Sequence, residues 1–316
     1  MDKIINCLTL SEEQRSLFMA AAPECEQVFA PYGVKSDGTV LTREDYESAD
    51  IILGNPPVKY LPGCTRLRFL QTSSAGVDRF LRPGVMPAGA VLAGCSGAWG
   101  PAISEHMLAM LLSVMKRLPA YRDAQRTGEW KQLGREKTLM GARVLVIGTG
   151  DLGSSFAKRC KALGSHTVGI RRDPSKSAEG VDEMHGFDDL DEQIPLADVV
   201  TLMLPHTAET AGLIDERRLG LMKDDAILLN GGRGTAIDCD ALADVLSRGR
   251  LWGAGLDVTN PEPLPADHPL WKQERALITP HAAGGFLDDT MERIASIVLE
   301  NFRRFRAGEP LRNRFL

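Results

Sequence analysis

The sequence predicts an α/β protein made of two doubly wound parallel-sheet domains. Short apolar runs alternate with segments of helical periodicity along most of the chain, and this alternation is typical of repeated strand–helix–strand units. The runs are apolar at nearly every position, as in strands that helices cover on both faces. The chain has 316 residues, which corresponds to two domains of about 150 residues each.

The first predicted domain begins with four short strands. The apolar runs that predict them are residues 4–8, 51–53, 69–71 and 91–93. A long helix is predicted to follow, from Pro101 to about Leu118, because proline suits the first turn of a helix, where its missing N–H group would be unpaired anyway. One apolar face of that helix indicates core or interface packing; it consists of Met107, Met110, Leu111, Val114 and Met115.

A second series of strands follows from residue 143 onward. The predicted strands are residues 143–147, 166–170, 198–204, 226–230, 253–257 and 277–279. Residues 240–248 predict a short crossover helix, because this segment starts with an acidic residue and stops at Gly249. Residues 288–305 are a last helical stretch, too short to be a domain, which we expect to pack against the first domain. The first domain would then comprise residues 1–98 and 288–316, and the second would interrupt it as residues 99–287.

The composition limits the partners that the chain can bind. Lys and Arg number 37, Asp and Glu number 42, and the formal net charge is −5, so there is no overall attraction to nucleic-acid phosphates. No apolar run approaches the ~20 residues of a membrane-spanning helix, and the N-terminal residues are too polar for a secretory signal. We therefore expect neither a nucleic-acid partner nor a membrane partner.

The six cysteines, at positions 7, 25, 64, 95, 160 and 239, stand alone. None belongs to a CxxC pair or lies at metal-ligand spacing from a second soft ligand, so we expect no bound metal ion. A disulfide framework is not expected in a chain of this size. These features favour reduced thiols and a cytoplasmic protein.

A glycine-rich turn stands between a predicted buried strand and an amphipathic helix. The segment has the spacing GxGxxG, and its strand–turn–helix context predicts a dinucleotide site. The first glycine permits the tight turn, the second lets the backbone approach a pyrophosphate, and the third allows close helix–strand packing, while the helix N-terminus offers N–H groups to the phosphates. The predicted contacts come from Gly148, Gly150, Asp151, Leu152 and Gly153. An ordinary glycine-rich turn is the alternative.

The end of the next strand bears on the choice of cofactor. NAD-binding enzymes usually place an acidic residue here to accept bonds from the ribose hydroxyls, but this chain has Arg171 and Arg172. Two guanidinium groups would attract a 2′-phosphate, so we expect NADP(H) to be the preferred cofactor. NAD(H) is the alternative cofactor, because a loop shift could bring Asp173 to the ribose. The two arginines also have a purely structural interpretation, as part of a solvent-exposed turn.

Three later strands each end in a residue suited to carbonyl chemistry. Arg233 lies in residues 230–234, Glu262 in residues 257–264 and His281 in residues 279–284. Ligands bind at the carboxyl ends of the strands in open α/β sheets. Each residue alone also has a purely structural interpretation. Arg233 could be a surface charge, Glu262 an acidic residue of a proline-rich loop, and His281 a structural histidine with its hydrogen bonds made. Their occurrence at successive strand ends after a dinucleotide motif favours an active site.

This combination resembles the D-isomer-specific 2-hydroxyacid dehydrogenase family over nearly the whole chain. The other matching segments are residues 72–78 (TSSAGVD), 97–106 (GAWGPAISEH), 204–210 (LPHTAET) and 212–214 (GLI). The resemblance implies a Rossmann NAD(P)-binding domain, residues 99–287, inserted into a flavodoxin-like substrate-binding domain, residues 1–98 and 288–316. It also implies a homodimer built around the helix that begins near Pro101.

The resemblance further implies reversible reduction of a 2-oxo acid to a D-2-hydroxy acid. His281 would be the general acid in the reducing direction and the base in the reverse direction, since histidine titrates near neutral pH. Glu262 would bond and orient the imidazole and favour its charged form. Arg233 would bind the substrate carboxylate and polarise the carbonyl.

Other site residues are implied by position in the matched motifs. The backbone N–H groups of Ala75 and Gly76, after Ser74, would form a carboxylate nest, and Asp257 would bond the nicotinamide carboxamide. Further cofactor contacts are expected from Pro205, His206, Thr207 and Thr210. His206 has two interpretations, assistance to Arg171 and Arg172 in binding a 2′-phosphate or a surface polar role.

Several further features bear on the substrate and on the assembly. Relatives often show Asn-Val-Gly-Arg-Gly where this chain has Gly231 and Gly232 before Arg233, which predicts a looser loop. Trp130 resembles a tryptophan that some glyoxylate- and hydroxypyruvate-reducing relatives send into a neighbour's active site, and interface packing is the alternative. The substrate side chain is expected to face residues 54–57, residues 73–76 and Trp99.

Alternative functions belong to different classes. One is a glyoxylate or hydroxypyruvate reductase specifically; pyruvate and larger branched or aromatic 2-oxo acids are also compatible with the sequence. Another is an enzyme of the formate or phosphite dehydrogenase type, although the pair of Glu262 and His281 differs from the Gln–His pair of the formate type. A third is an NAD(H)-sensing corepressor-like binding protein of the same fold.

Overall fold

The computed structural model describes residues 1–285 and 288–316. The chain divides into two compact units. Unit 1 comprises Met1–Trp99 together with the described C-terminal residues, and unit 2 is Gly100–Gly285. The predicted domain boundary at residue 287 lies outside the described residues.

Unit 1 contains a five-stranded parallel sheet in the order β2-β1-β3-β4-β5. Its strands are β1 (Lys3–Asn6), β2 (Glu26–Phe29), β3 (Ile51–Leu53), β4 (Phe69–Gln71) and β5 (Val91–Ala93), and its helices are α1 (Glu12–Ala21), α2 (Arg43–Glu47) and α9 (Asp288–Ala307). This flavodoxin-like order confirms the predicted fold class. The sequence did not predict β2, because this edge strand has the mixed sequence EQVF and no fully buried position.

Unit 1 packs aromatic side chains between its sheet and its helices. Phe18 of α1 and Phe302 of α9 are buried and stack with ring centroids 6.2 Å apart. Phe69 of β4 stacks on Phe305 of α9 at 4.5 Å. The last helical stretch of the sequence therefore contributes to the same core as the N-terminal strands.

Unit 2 contains a seven-stranded parallel sheet in the order β12-β11-β10-β9-β6-β7-β8. Its strands are β6 (Arg143–Ile147), β7 (His166–Ile170), β8 (Glu183–His185), β9 (Val199–Leu202), β10 (Ile227–Asn230), β11 (Gly253–Leu256) and β12 (Ala276–Ile278). The chain builds outward from β6 in one direction and then from β9 in the other, so the switch point where ligands bind in such sheets lies between β6 and β9. Edge strand β8 (EMH) is polar and partly exposed, and the sequence did not predict it.

The helices of unit 2 correct one prediction. They are α3 (Gly100–Met115), α4 (Leu118–Thr127), α5 (Asp151–Ala162), α6 (Leu190–Gln193), α7 (Glu216–Leu221) and α8 (Cys239–Ser247). The single helix predicted to reach Leu118 ends at Met115, because Arg117 adopts a left-handed conformation with φ 53° and starts α4. The apolar face of α3 is buried in the core of unit 2, which confirms its core role. None of the helices in the described part of the chain is long and apolar enough to cross a membrane.

Candidate active site

The glycine-rich turn joins β6 to α5. Gly148 has φ +95°, and a Cβ atom there would lie 2.7 Å from the carbonyl oxygen of Met203. A Cβ atom on Gly153 would overlap the carbonyl oxygen of Gly148. Both positions therefore require glycine, for a left-handed turn and for close helix–strand contact.

Gly150 differs from these two glycines, because a Cβ atom on it would meet nothing within 4 Å. It is the N-cap of α5, and no side chain caps this helix. The N–H groups of a first helical turn lack intrahelical partners, and the helix dipole adds positive potential at this end. Open space beside such a helix N-terminus fits the pyrophosphate of a dinucleotide.

In the loop after β7, the carboxylate of Asp173 is bonded to residues of the same turn. The carboxylate of Asp173 accepts bonds from the Ser175 hydroxyl at 2.6 Å and the Ser175 N–H at 3.2 Å, and it pairs with Lys176 at 3.3 Å. The hydroxyl bond and the Lys176 ammonium lower the pKa of Asp173. The Asp173 carboxylate, on which the NAD(H) alternative depends, is therefore held by Ser175 and Lys176.

The two arginines at this strand end have different surroundings. Nη1 of Arg171 donates to the carbonyl oxygens of Lys176 and Ser177, both at 3.1 Å. Arg172 is exposed. The pKa of Glu209 is lowered by a bond with the Thr207 side chain and, more weakly, by the charge of Arg172, so Arg172 lies within electrostatic range of the Pro205–Thr210 segment.

The segment 205–210 forms a turn that its own hydroxyls close. Oγ1 of Thr210 donates to the carbonyl oxygen of Pro205 at 2.7 Å and accepts from the Thr207 N–H at 2.9 Å. Nδ1 of His206 lies 2.8 Å from Oγ1 of Thr235. The structure thus brings His206 to the loop that follows Arg233, and Nε2 is its ring nitrogen without a partner in the described residues.

The loop that carries Arg233 is tightly held, so the prediction that two glycines loosen it is wrong. Asn230 donates through Nδ2 to the carbonyl oxygen of Arg233 at 3.0 Å and accepts from the Gly232 N–H at 3.1 Å. A Cβ atom on Gly231 would lie 2.9 Å from Met107, and one on Gly232 would lie 2.6 Å from the Leu204 backbone. The glycines permit close packing here.

Gly234 provides a test of this packing. Gly234→Ala is expected to lower the free energy of unfolding by about 1–3 kcal/mol, because the new methyl group would overlap the carbonyl oxygen of Thr259. Urea denaturation measures the change. The matched control is Gly220→Ala in α7, where a Cβ atom meets nothing within 4 Å and the helix gains up to about 1 kcal/mol. Equal unfolding midpoints for the two variants would contradict this description of the loop.

Glu262 and His281 form a direct pair. Nδ1 of His281 lies 3.1 Å from Oε2 of Glu262, and their side chains are 51% and 41% exposed. The other carboxylate oxygen of Glu262 accepts the Thr259 N–H at 3.2 Å. Nε2 of His281 has no hydrogen-bond partner within residues 1–285 and 288–316. The pair therefore orients an imidazole whose Nε2 is available for proton transfer.

The backbone of His281 is held in a strained conformation. Its φ is +52°, which is costly for a residue with a side chain. The His281 N–H donates to the carbonyl oxygen of Asp257 at 2.7 Å. Oδ1 of Asp257 accepts the N–H groups of Ala282 at 2.8 Å and Ala283 at 3.2 Å. Asp257 therefore fixes the loop that presents His281, besides its implied contact with a cofactor.

Two residues that the sequence analysis did not select support this carboxylate. The hydroxyl of Thr279 donates to Oδ1 of Asp257 at 2.6 Å, and Nε2 of His106 lies 3.0 Å from the same hydroxyl oxygen. Asp257 itself is 3% exposed, and burial makes such bonds important. His106 is the last residue of the segment GAWGPAISEH, so the sequence identified its motif, but it gave no indication that His106 contacts Thr279.

The predicted carboxylate nest in unit 1 is also held by specific bonds. Ser74 Oγ donates to the carbonyl oxygen of Gly76 at 2.9 Å, and the Trp99 indole N–H donates to that of Ser73 at 3.1 Å. The backbone N–H groups of Ala75 and Gly76 have no partner in the part of the chain that the structure describes. Two adjacent N–H groups without partners fit an anion.

The described residues contain no group of three or more His, Cys, Asp or Glu side chains placed to hold a metal ion. The groups at the strand ends of unit 2 are instead an arginine, a carboxylate and a histidine. Groups of these three types are able to bind an oxyanion, orient an imidazole and transfer a proton. The open turn at Gly150 fits a dinucleotide beside them on the same sheet.

Comparison with known proteins gives consistent matches. A family model described as "D-isomer specific 2-hydroxyacid dehydrogenase, NAD binding domain" matches residues 108–283. A glyoxylate reductase from Korarchaeum cryptofilum is 31% identical over 252 residues, which cover 77% of this chain and 74% of the relative. A D-3-phosphoglycerate dehydrogenase from Mycobacterium tuberculosis is 31% identical over 298 residues, which cover 93% of this chain and 52% of the relative. The chain thus spans about half the length of that dehydrogenase.

Solved structures match over the full length of the chain. A D-isomer specific 2-hydroxyacid dehydrogenase family protein from Aeromonas salmonicida has a TM-score of 0.85 and 31% identity, and the match covers 100% of this chain and 99% of that chain. A D-isomer specific 2-hydroxyacid dehydrogenase from Xanthobacter autotrophicus, solved in complex with NADPH and MES, has a TM-score of 0.81 and 29% identity, with 100% and 98% coverage. With the matching family model, these similarities show that the chain belongs to the D-isomer specific 2-hydroxyacid dehydrogenase family of oxidoreductases.

Proposed function

We propose that the protein reduces a 2-oxo acid to a D-2-hydroxy acid, reversibly, with NADPH as the preferred cofactor. The observation that carries this proposal is the pair formed by Nδ1 of His281 and Oε2 of Glu262 at 3.1 Å. This pair leaves Nε2 of His281 for a substrate oxygen. The loop that Asp257 fixes gives the imidazole one orientation, which is what a general acid requires.

Each residue has a defined task in this reaction. The nicotinamide ring supplies the hydride when the cofactor is bound. In the reducing direction, His281 donates a proton from Nε2 to the carbonyl oxygen, and in the oxidising direction it takes that proton from the hydroxyl group. Glu262 stabilises the charged imidazole. The guanidinium group of Arg233 binds the carboxylate and polarises the carbonyl, and the N–H groups of Ala75 and Gly76 bind the carboxylate.

The preference for NADPH is supported by charge at the end of β7. Arg171 and Arg172 supply two guanidinium groups for a 2′-phosphate. Asp173, which would serve NADH, is bonded to Ser175 and Lys176. The related Xanthobacter autotrophicus protein was solved with NADPH. We also place Pro205, His206, Thr207 and Thr210 at the cofactor, with Gly148, Gly150, Asp151, Leu152 and Gly153 around its pyrophosphate and Asp257 at its carboxamide.

The assembly and location follow the same resemblance. We propose a homodimer, supported by the fully exposed side chain of Trp130, whose large apolar surface would gain from burial against a partner. We propose a cytoplasmic location, supported by six cysteines of which none forms a disulfide. Neither a membrane nor a nucleic acid is part of this proposal.

A panel of 2-oxo acids tests the reaction. We expect NADPH oxidation with glyoxylate, 3-hydroxypyruvate or pyruvate, followed at 340 nm, and a D-configured product from the last two by chiral chromatography. NADH should be oxidised more slowly. Failure to oxidise either cofactor with any substrate would overturn the proposal. Tight cofactor binding in calorimetry without turnover would instead support a cofactor-sensing, corepressor-like protein.

A further inference from the structure

We propose that Asn55 is a specificity-determining residue that recognises a hydroxyl group on C3 of the substrate; this inference rests on the proposed function. The Ser74 hydroxyl, which donates to the carbonyl oxygen of Gly76 at 2.9 Å, also lies 3.4 Å from Oδ1 of Asn55, and this contact is the longer branch of a shared hydrogen bond. Because Oδ1 accepts this bond, Nδ2 retains two N–H donors, and it has no partner among residues 1–285 and 288–316. The contact with Ser74 places the Asn55 side chain next to the residue that directly precedes the nest formed by Ala75 and Gly76.

The backbone holds Asn55 in place before any ligand binds. β3 and β4 are parallel neighbours that pair Leu53 with Gln71, so the loops after them leave the same edge of the sheet. Gly54 has φ +114°, and a Cβ atom there would lie 2.9 Å from Cβ of Cys7. Pro56 follows Asn55 and restricts it to an extended conformation. The backbone of Asn55 is fixed on both sides in this way, so only its exposed side chain loses freedom when it binds a ligand.

The charge around Asn55 favours a neutral partner group. Residues 54–57 and 73–76 carry no charged side chain. The neighbouring cations along the chain contact aromatic rings: Nζ of Lys59 lies 5.0 Å from the Tyr60 ring centroid, and the Arg79 guanidinium lies 4.7 Å from that of Phe80. A second carboxylate or a phosphate on the substrate would lose water without gaining a cation here. A hydroxyl oxygen needs only a neutral donor, which Nδ2 provides.

The test compares four substrates that differ at C3. Glyoxylate has no C3, pyruvate has a methyl group there, 3-hydroxypyruvate has a hydroxymethyl group, and oxaloacetate has a carboxylate attached to C3. We expect the wild-type protein to prefer 3-hydroxypyruvate to pyruvate and oxaloacetate in kcat/KM. Asn55→Leu keeps the side-chain size and removes both donors, so the ratio for 3-hydroxypyruvate over pyruvate should fall about 3- to 10-fold, with little change for glyoxylate. Asn55→Ser should restore part of the ratio.

Ser74→Ala separates recognition from loop support. This variant removes the bond between Ser74 and Asn55 but leaves Nδ2 in place. We expect a similar rise in KM for every substrate and an unchanged ratio, because the nest loosens for all of them. Thermal unfolding checks that each variant is folded.

The outcomes distinguish a failure of the role of Asn55 from a failure of the proposed function. If the wild-type protein reduces glyoxylate but Asn55→Leu leaves the ratio unchanged, the role of Asn55 is refuted and the proposed function stands. A wild-type preference for oxaloacetate over 3-hydroxypyruvate would also refute it. If no 2-oxo acid is reduced, the proposed function and this inference fail together.

Discussion

His281→Asn is expected to lower kcat by about 10²- to 10⁴-fold, the usual contribution of a positioned general acid or base. Asparagine has no group that titrates near neutral pH, so no proton can be passed to the carbonyl oxygen. It also tolerates a left-handed backbone, and position 281 has φ +52°. The loop bonds to Asp257 come from the backbone and should survive. Steady-state turnover with saturating NADPH measures the loss.

The control for this prediction is the same substitution at His166. This histidine begins β7, at the edge of the sheet opposite the strand ends, and pairs with Glu183 at 2.6 Å. His166→Asn should leave kcat unchanged. Binding of NADPH to His281→Asn should also be unchanged in calorimetry, because the residue acts on the substrate oxygen. Normal turnover in His281→Asn would place the proton donor elsewhere.

The double variant Arg171→Ala/Arg172→Ala should weaken NADPH binding by about 10- to 100-fold, since a hydrogen bond to a charged group contributes about 1.5–3 kcal/mol. Binding of NADH should change much less, because its ribose carries no 2′-phosphate. Dissociation constants from calorimetry with each cofactor measure the effect without relying on turnover. The loss should shrink at high salt, where exposed charges are screened.

Two further variants separate the causes. Arg172→Ala alone removes the exposed guanidinium and leaves the bonds from Arg171 to the carbonyl oxygens of Lys176 and Ser177 intact. Lys272→Glu, on the short helical turn Pro269–Lys272, changes the net charge by as much as the double variant and should affect neither cofactor. If the double variant weakens NADPH and NADH equally, the arginines support the loop and do not bind the phosphate.

The elements that the sequence predicted well are those with a local signature. Strands buried on both faces leave apolar runs, so all the central strands were found within two residues of their bounds. The glycine spacing at 148–153 likewise reflects steric limits within one turn. Edge strands β2 (EQVF) and β8 (EMH) leave no such run, because polar and charged residues interrupt their apolar positions. The break at Arg117 depends on one left-handed residue, for which arginine gives no signal.

The candidate site also contains features that the sequence predicted and contacts that it did not. Arg233, Glu262 and His281 could be selected because each follows a predicted strand, and the pairing of Glu262 with His281 was expected from the resemblance. The bond from His206 to Thr235 and the support of Asp257 by Thr279 and His106 were not predicted. These contacts join residues far apart in sequence, and their distances depend on how the strands are ordered in the sheet.

The contact between Gly231 and Met107 has an evolutionary consequence. A Cβ atom at position 231 would lie 2.9 Å from both Cγ and Sδ of Met107, so the methionine occupies the volume that a valine would need there. The side chains at positions 107 and 231 must fit into the same fixed volume, since protein cores are close-packed. In relatives that carry valine at position 231, the residue at position 107 should be smaller. The pair should therefore covary, with total side-chain volume conserved while each position changes.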